Sequence, residues 1–252
     1  MHRQRQLTVS AETSQRHTGF VRVALFCLPQ SIFQQHARFG GDDFPVDDIT
    51  YEDTRFALHA AAELLIAGPQ YRRFGSIRMR IVLGGFTGMK WPVSVTGTDL
   101  VWPQGRIRLH GTYSDLASTA GFEADGPPEG LYSDGTRMDP DEPFRVDSGA
   151  ATAVHDWFAV GDTALRRFAA EQPVLWPEHF DLSVAVDEVN YGVSPGDWDN
   201  PTPYAYVGPW TRRKGEFWNA PFGAIRPRSE VATVQSLMEF FREGRAHAAQ
   251  DN

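Results

Sequence analysis

Short β-rich runs punctuated by glycine arrive in clusters along this chain, and that arrangement most constrains its fold. Ser76–Leu83, Val93–Val95, Asp99–Trp102 and Arg106–His110 follow one another closely, with Gly84-Gly85, Gly97 and Gly105 at the breaks. Such spacing predicts antiparallel hairpins. Phe180–Asp187 alternates strictly, with Leu182, Val184 and Val186 on one face and Asp181, Ser183, Ala185 and Asp187 on the other. This is the pattern of a strand with one face buried. Pro203–Val207 repeats it, with Tyr204 and Tyr206 sharing a face. Helical segments fall before and after these clusters rather than between successive strands. The expected class is therefore α+β, a mainly antiparallel sheet built from hairpins with three main helices packed against it, and not a doubly wound parallel sheet.

The helices are expected at 51–67, 148–171 and 229–243. Thr50-x-x-Asp53 resembles a capping box, and Tyr51, Leu58, Ala61, Ala62 and Leu65 share one helical face before Gly68-Pro69, which reads as a stop. A short helix is expected over Ser114–Ala120, capped by Ser114. Gly161-Asp162 is expected to divide the 148–171 segment. Ser229 and Gly244 would bound the last helix, whose apolar stripe is Val231, Val234, Met238 and Phe241. No internal repeat of fixed period is present.

The formal net charge is −8 and the pI is near 5.5, but the acidity is local. Residues 123–147 hold eight acids against Arg137 and Arg145, a net of −6. That stretch is rich in Pro, Gly and Asp and has no period, so it reads as a mobile acidic loop or a linker between two lobes. An acidic chain is a poor partner for nucleic acid or an anionic membrane. No apolar run is long enough for a membrane span. Cys27 is the only cysteine, which excludes an intramolecular disulfide. The chain has no signal-peptide pattern, which points to the cytoplasm. Only two of its 24 Lys+Arg residues are lysines, Lys90 and Lys214, a bias that fits a GC-rich bacterial genome such as that of an actinobacterium. Residues 1–48 lack a sustained period and are expected to lie outside the core, leaving 49–245 as a single domain, bilobal if 123–147 is a joint.

Aromatic and polar side chains concentrate between 173 and 226. Trp176, Trp198, Trp210 and Trp218 lie there, interleaved with Glu178, His179, Asp181, Asn190, Asp197 and Asn219 on proline-rich backbone. This is the make-up of a pocket wall, and Tyr191, Trp198, Tyr204, Tyr206, Trp210, Trp218 and Asn219 are the candidate ligand-binding residues for a small molecule. His179 is the candidate general base, oriented by Glu178, Asp181 or Glu63. His59 and Glu63 are four residues apart on the first helix. If that helix meets the 178–181 segment, His59, Glu63 and His179 become candidate ligands for a divalent metal that would activate a water. Asp197-x-Asp199-Asn200 lacks the glycine and closing glutamate of a calcium loop. Ser194-Pro195-Gly196 reads as a turn rather than a nucleophile elbow.

Trp176-Pro177-Glu178-His179-Phe180-Asp181-Leu182, Val189-Asn190-Tyr191-Gly192-Val193-Ser194-Pro195-Gly196-Asp197, Pro203-Tyr204-Ala205-Tyr206-Val207-Gly208-Pro209-Trp210 and Phe217-Trp218-Asn219-Ala220-Pro221-Phe222-Gly223, together with Leu58-His59-Ala60-Ala61-Ala62-Glu63-Leu64-Leu65 and Ala67-Gly68-Pro69-Gln70-Tyr71-Arg72, resemble a family of uncharacterised actinobacterial proteins. The element order is similar to that of a larger family of bacterial domains of unknown function. The resemblance spans about residues 50–245 and brings no activity with it. Two functional classes follow from the residues: a hydrolase-like small-molecule enzyme built on His179, and a non-catalytic binding module with a Trp/Tyr pocket.

Overall fold

The structure, a computed structural model, describes residues 48–128, 130–132 and 135–250. The expectation that 1–48 is dispensable falls almost wholly outside them. Helix α1 (Asp48–Ala61) passes into a π-helical segment (Ala62–Ala67) and then α2 (Gly68–Phe74). Strands β1 (Met79–Val82), β2 (Gly85–Gly88), β3 (Ser94–Thr96), β4 (Asp99–Trp102) and β5 (Gly105–Arg108) follow, then β6 (His110–Gly111), α3 (Tyr113–Ala120) and β7 (Phe144–Arg145). Helix α4 (Ser148–Phe168) precedes β8 (Val174–Trp176), β9 (Asp181–Val186), β10 (Val189–Ser194), β11 (Tyr204–Pro209) and β12 (Ala224–Pro227), and α5 (Val234–Gln250) comes last.

Ten strands form one antiparallel sheet in the order β12-β11-β10-β9-β8-β1-β2-β3-β4-β5. It consists of two five-stranded meanders, each preceded by a long helix and joined back to back where Met79 of β1 faces Leu175 of β8. The α+β, antiparallel expectation holds. The repeated helix-plus-meander topology has no counterpart in a sequence period, because the two halves share a strand plan without sharing residues.

Cross-strand register assigns the faces. Ile81, Phe86, Val95, Leu100 and Ile107 align across β1–β5 and face the helices; Arg80, Thr87, Ser94, Val101 and Arg106 align on the opposite face. In the other half Leu182, Val184, Tyr191, Val193, Ala205 and Val207 join the core with Leu58, Leu65, Trp157, Phe158 and Phe241. Asp181, Ser183, Gly192, Tyr204 and Tyr206 take the face without helices. The period-2 pattern of 180–187 marks the core face of β9, but the expected half-burial does not hold at its start, where Asp181 and Ser183 on the opposite face are buried as well. No helix among the described residues is long and apolar enough to cross a membrane.

Three helical glycines depart from their sequence reading. Gly68-Pro69 does not stop the first helix. Pro69 sits in the first turn of α2, where its missing N–H costs nothing, and the left-handed Gly75 (φ 65°) ends the helix instead. A Cβ on Gly68 would lie 1.9 Å from the Asp125 carbonyl oxygen, so glycine is there to let the 123–128 backbone approach. Gly161 does not divide α4, and Gly244 does not end α5. A Cβ on Gly161 would meet Val193 Cγ2 at 2.3 Å, and one on Gly244 would meet Val207 Cγ2 at 2.7 Å. Both glycines bring a helix axis close to the sheet. Gly161→Ala is expected to lose about 1–3 kcal/mol by overpacking, although alanine is the better helix former by ~1 kcal/mol. A urea midpoint equal to or above wild type would contradict that packing role.

The caps differ as well. Thr50 lies inside α1, and Thr112 rather than Ser114 caps α3 by accepting the Asp115 N–H at 3.1 Å. Asp147 caps α4 through two N–H bonds at 2.8 and 2.9 Å. At α5, Thr233 and Ser236 exchange N–H···Oγ bonds at 3.1 Å, a reciprocal box that replaces Ser229.

The acidic 123–147 stretch lies between strands that belong to one and the same sheet. Its described residues form a strap over the first helix and α3. Asp125 N–H donates to Leu64 O at 3.2 Å, and Arg72 pairs with the Asp125 carboxylate at 2.6 Å. Ser114 N–H donates to Pro140 O at 3.1 Å, and Phe144 stacks on Tyr113 at 3.9 Å.

Candidate functional site

The first helix and the 177–181 segment do meet. His59 is buried, and its Nε2 lies 2.6 Å from the Pro177 carbonyl oxygen. A carbonyl can only accept, so Nε2 carries the proton and donates. The imidazole also stacks on Phe180, with ring centroids 5.3 Å apart and planes 8° from parallel. Burial outweighs the opposing pull of Glu63 and of the Pro177 hydrogen bond, and drives the imidazole down to about 4.

One turn later the helix widens into its π segment, all six of whose residues are buried. Such insertions are rare and occur often at functional sites. Glu63 is the second of them. Its Oε1 accepts the Tyr132 hydroxyl at 2.7 Å, and its Oε2 accepts the Thr136 N–H at 2.8 Å and the Thr136 hydroxyl at 2.5 Å. The carboxylate thus anchors the strap. Nothing in the aperiodic 123–147 composition marks Tyr132 or Thr136 as its partners.

Glu178, His179 and Asp181 sit where the chain enters β9. His179 Nε2 is 4.0 Å from Glu178 Oε1, and the His179 side chain keeps 28% of its surface exposed. Between His179 and Asp181, Phe180 adopts a left-handed backbone, φ 51°. For a bulky residue this costs of order 1–2 kcal/mol. Phe180 is 1% exposed and packs edge-on against Phe86 and Phe158 as well as flat on His59. Full burial of the ring is worth about 2–3 kcal/mol and each aromatic contact about 0.5–1.5 more. The core contacts win, so the strained turn persists. No residue preference signals it, because phenylalanine is not a left-handed residue.

Asp181 is buried on the helix-free face and accepts a hydrogen bond from Tyr206, whose ring lies across Gly192. Desolvation raises the Asp181 carboxyl above its ordinary value, against the lowering influence of His179 and of the Tyr206 bond. Tyr206 is raised well above the ordinary phenol, by burial first and then by Asp181. Electrostatic influence runs through the whole cluster: Glu178 acts on Tyr132, and His179 acts on His59 and Asp181.

The metal expectation is not met by this geometry. Among the described residues no three His, Cys, Asp or Glu side chains are grouped to hold an ion. His59 spends Nε2 on Pro177, and both oxygens of Glu63 are taken by the strap, so His59, Glu63 and His179 do not form a ligand sphere.

The aromatic residues expected to share a pocket are spread over two faces. Tyr191 points into the core against Phe168 and Phe241. Tyr204 and Tyr206 neighbour each other on the opposite face, 6.3 Å apart. Trp198 is 88% exposed beside Phe56, and Trp210 is 39% exposed and donates to Asn190 Oδ1 at 3.2 Å. Trp218 packs on Phe217 and His247. Asn219 braces a turn through the backbone of Ile225. Asp197 is likewise structural: it accepts the N–H groups of Asp199 and Asn200 at 2.8 and 2.6 Å and the Tyr204 hydroxyl at 2.5 Å. Gly196 supplies the left-handed φ of 109° that the expected turn needs. No protein-family profile, curated protein or solved structure matches this chain.

Proposed function

We propose that this chain is a cytoplasmic bacterial enzyme of hydrolase-like type that acts on a small molecule by metal-free acid–base chemistry. The observation that carries this reading is the pairing of a solvent-reaching base, His179, with a buried acid, Asp181–Tyr206, across the strained Phe180 backbone. A buried carboxyl held in its protonated form by desolvation, beside a phenol raised for the same reason, is common equipment for proton transfer. In the proposed step His179 removes a proton from water, the water oxygen bonds to the substrate's acyl carbon, and the bond to the leaving group breaks. The leaving group takes its proton from the Tyr206–Asp181 pair. Proton exchange with solvent then resets both partners. Glu178 stabilises the imidazolium, and His59 holds the Pro177 carbonyl behind it as a positioning residue.

The test is a panel of chromogenic esters and amides assayed with full-length protein, His179→Gln and Tyr206→Phe. Turnover that disappears in His179→Gln, with Tyr206→Phe displacing the basic limb of the pH profile, supports the reading. Turnover unchanged in His179→Gln rules it out. The open aromatic face formed by Tyr206 and Phe222, 6.2 Å apart, favours a second reading, a non-catalytic binding module. Saturable binding of a panel compound without turnover would select it.

A further inference from the structure

Far along the sheet from His179 in sequence register, at the β9–β10 turn, a cleft of about 250 Å³ opens between that turn, the segment after β11 and the end of α5. It is lined by Asp187, Glu188, Tyr191, Thr211, Arg213 and Arg245, with Val189 and Ala248 as apolar wall. Tyr191 is 0% exposed, and its hydroxyl has no hydrogen-bond partner among the described residues. Buried hydroxyls are nearly always paired, so this one calls for an explanation. Its ring is fixed by Phe168 at 4.6 Å and Phe241 at 6.0 Å and cannot swing away. Tyr191 lines the cleft beside Arg245 and Asp187, whose charges act on its phenol after burial does.

The cleft carries both signs of charge. Arg245 and Arg213 supply guanidinium donors; Asp187 and Glu188 supply carboxylates held on a tight turn with φ of 52° and 61°. Arg245 pairs with Asp187 at 2.7 Å, but both side chains are more than half exposed, so a ligand can share that pair at little cost. The volume lies below the ~300–1,000 Å³ of drug-sized sites.

The geometry points to a binding site for a small zwitterion of free amino acid type, distinct from the His179 cluster. Its carboxylate would meet Arg245, Arg213 and the Tyr191 hydroxyl, its ammonium Asp187 and Glu188, and an aliphatic side chain the Val189–Ala248 wall. The site stands whether or not the His179 cluster is catalytic.

Calorimetric titration of the full chain tests it, with L-leucine as probe. The matched controls are 4-methylpentanoate, which lacks the ammonium, and isoamylamine, which lacks the carboxylate. L-leucine is expected to bind with a Kd below about 1 mM, with each control about 10-fold weaker or more. Tyr191→Phe should weaken leucine about 10-fold. Without ligand its Tm should hold or rise by about 2–4 °C, because an unpaired buried hydroxyl is removed. Arg245→Gln, at an exposed position, provides a second variant with the same expected loss of affinity. Absence of leucine binding at about 10 mM, equal affinity for 4-methylpentanoate, unchanged leucine affinity in Tyr191→Phe, or a lower ligand-free Tm in that variant would each overturn the proposal.

Discussion

Acidification from pH 7.5 to 4.5 should remove about 2–3 kcal/mol of folding stability through His59 alone. The folded imidazole titrates near 4 and the unfolded one near 6.5, so the folded state binds fewer protons across this window. Stability that is complete above pH 6.5 is therefore lost as the pH falls, and the loss levels off below 4. His155 adds to it with the same sign, because burial lowers that imidazole too. Asp181 opposes both. Its folded carboxyl is raised, so it takes up a proton before the unfolded chain does and gains stability on acidification. The difference between wild type and His59→Gln separates the first contribution from the others. The glutamine amide keeps a donor for Pro177 O but cannot ionise. Urea unfolding at the two pH values should show a smaller loss in the variant by that 2–3 kcal/mol. Equal losses in both proteins would mean that His59 is not the buried neutral group described.

Glu63→Ala should cost about 3–5 kcal/mol, since hydrogen bonds to a charged group are worth about 1.5–3 kcal/mol each and three converge there. The loss is local before it is global. The Tyr132 and Thr136 donors would have no acceptor, and the strap around residues 130–138 would detach from the π segment. Limited proteolysis should then cut the strap while the ten-stranded sheet persists. Glu63→Gln retains the shape and one acceptor oxygen. Its NH₂ faces a hydroxyl that can turn to accept or an N–H that cannot, so the loss should be smaller, about 1–2 kcal/mol. Removing the Glu63 charge also withdraws an influence that raises the His59 imidazole. The acid sensitivity of Glu63→Gln should extend to lower pH than that of wild type. A strap that stays protected in Glu63→Ala would show that Arg72–Asp125 and the Tyr113–Phe144 stack hold it instead.

Much of the fold is legible because strand signals are local. Alternation in 180–187 marks the core face of β9, and the glycine breaks at 84, 97 and 105 mark hairpins that form in register. Part of the candidate site is legible for the same reason. Spacing places His59 and Glu63 one turn apart, and titratable residues flank position 180. Their meeting rests on a contact across 118 residues, His59 to Pro177, that no local pattern encodes.

Periodicity and turn chemistry act over a few residues, so the α+β class, the hairpin clusters and the core face of β9 can be read from the chain alone. What the helical glycines are for emerges only from the assembled fold. A glycine that ends a helix and one that admits a neighbouring chain look alike in sequence, and Gly68, Gly161 and Gly244 are of the second kind. The assembled fold also makes the described part of the acidic stretch a strap, because Glu63 and Leu64 bind it from a distant helix. Phe180 is left-handed because packing against His59, Phe86 and Phe158 outweighs backbone preference, and packing energy of that kind exists only once the whole core is assembled.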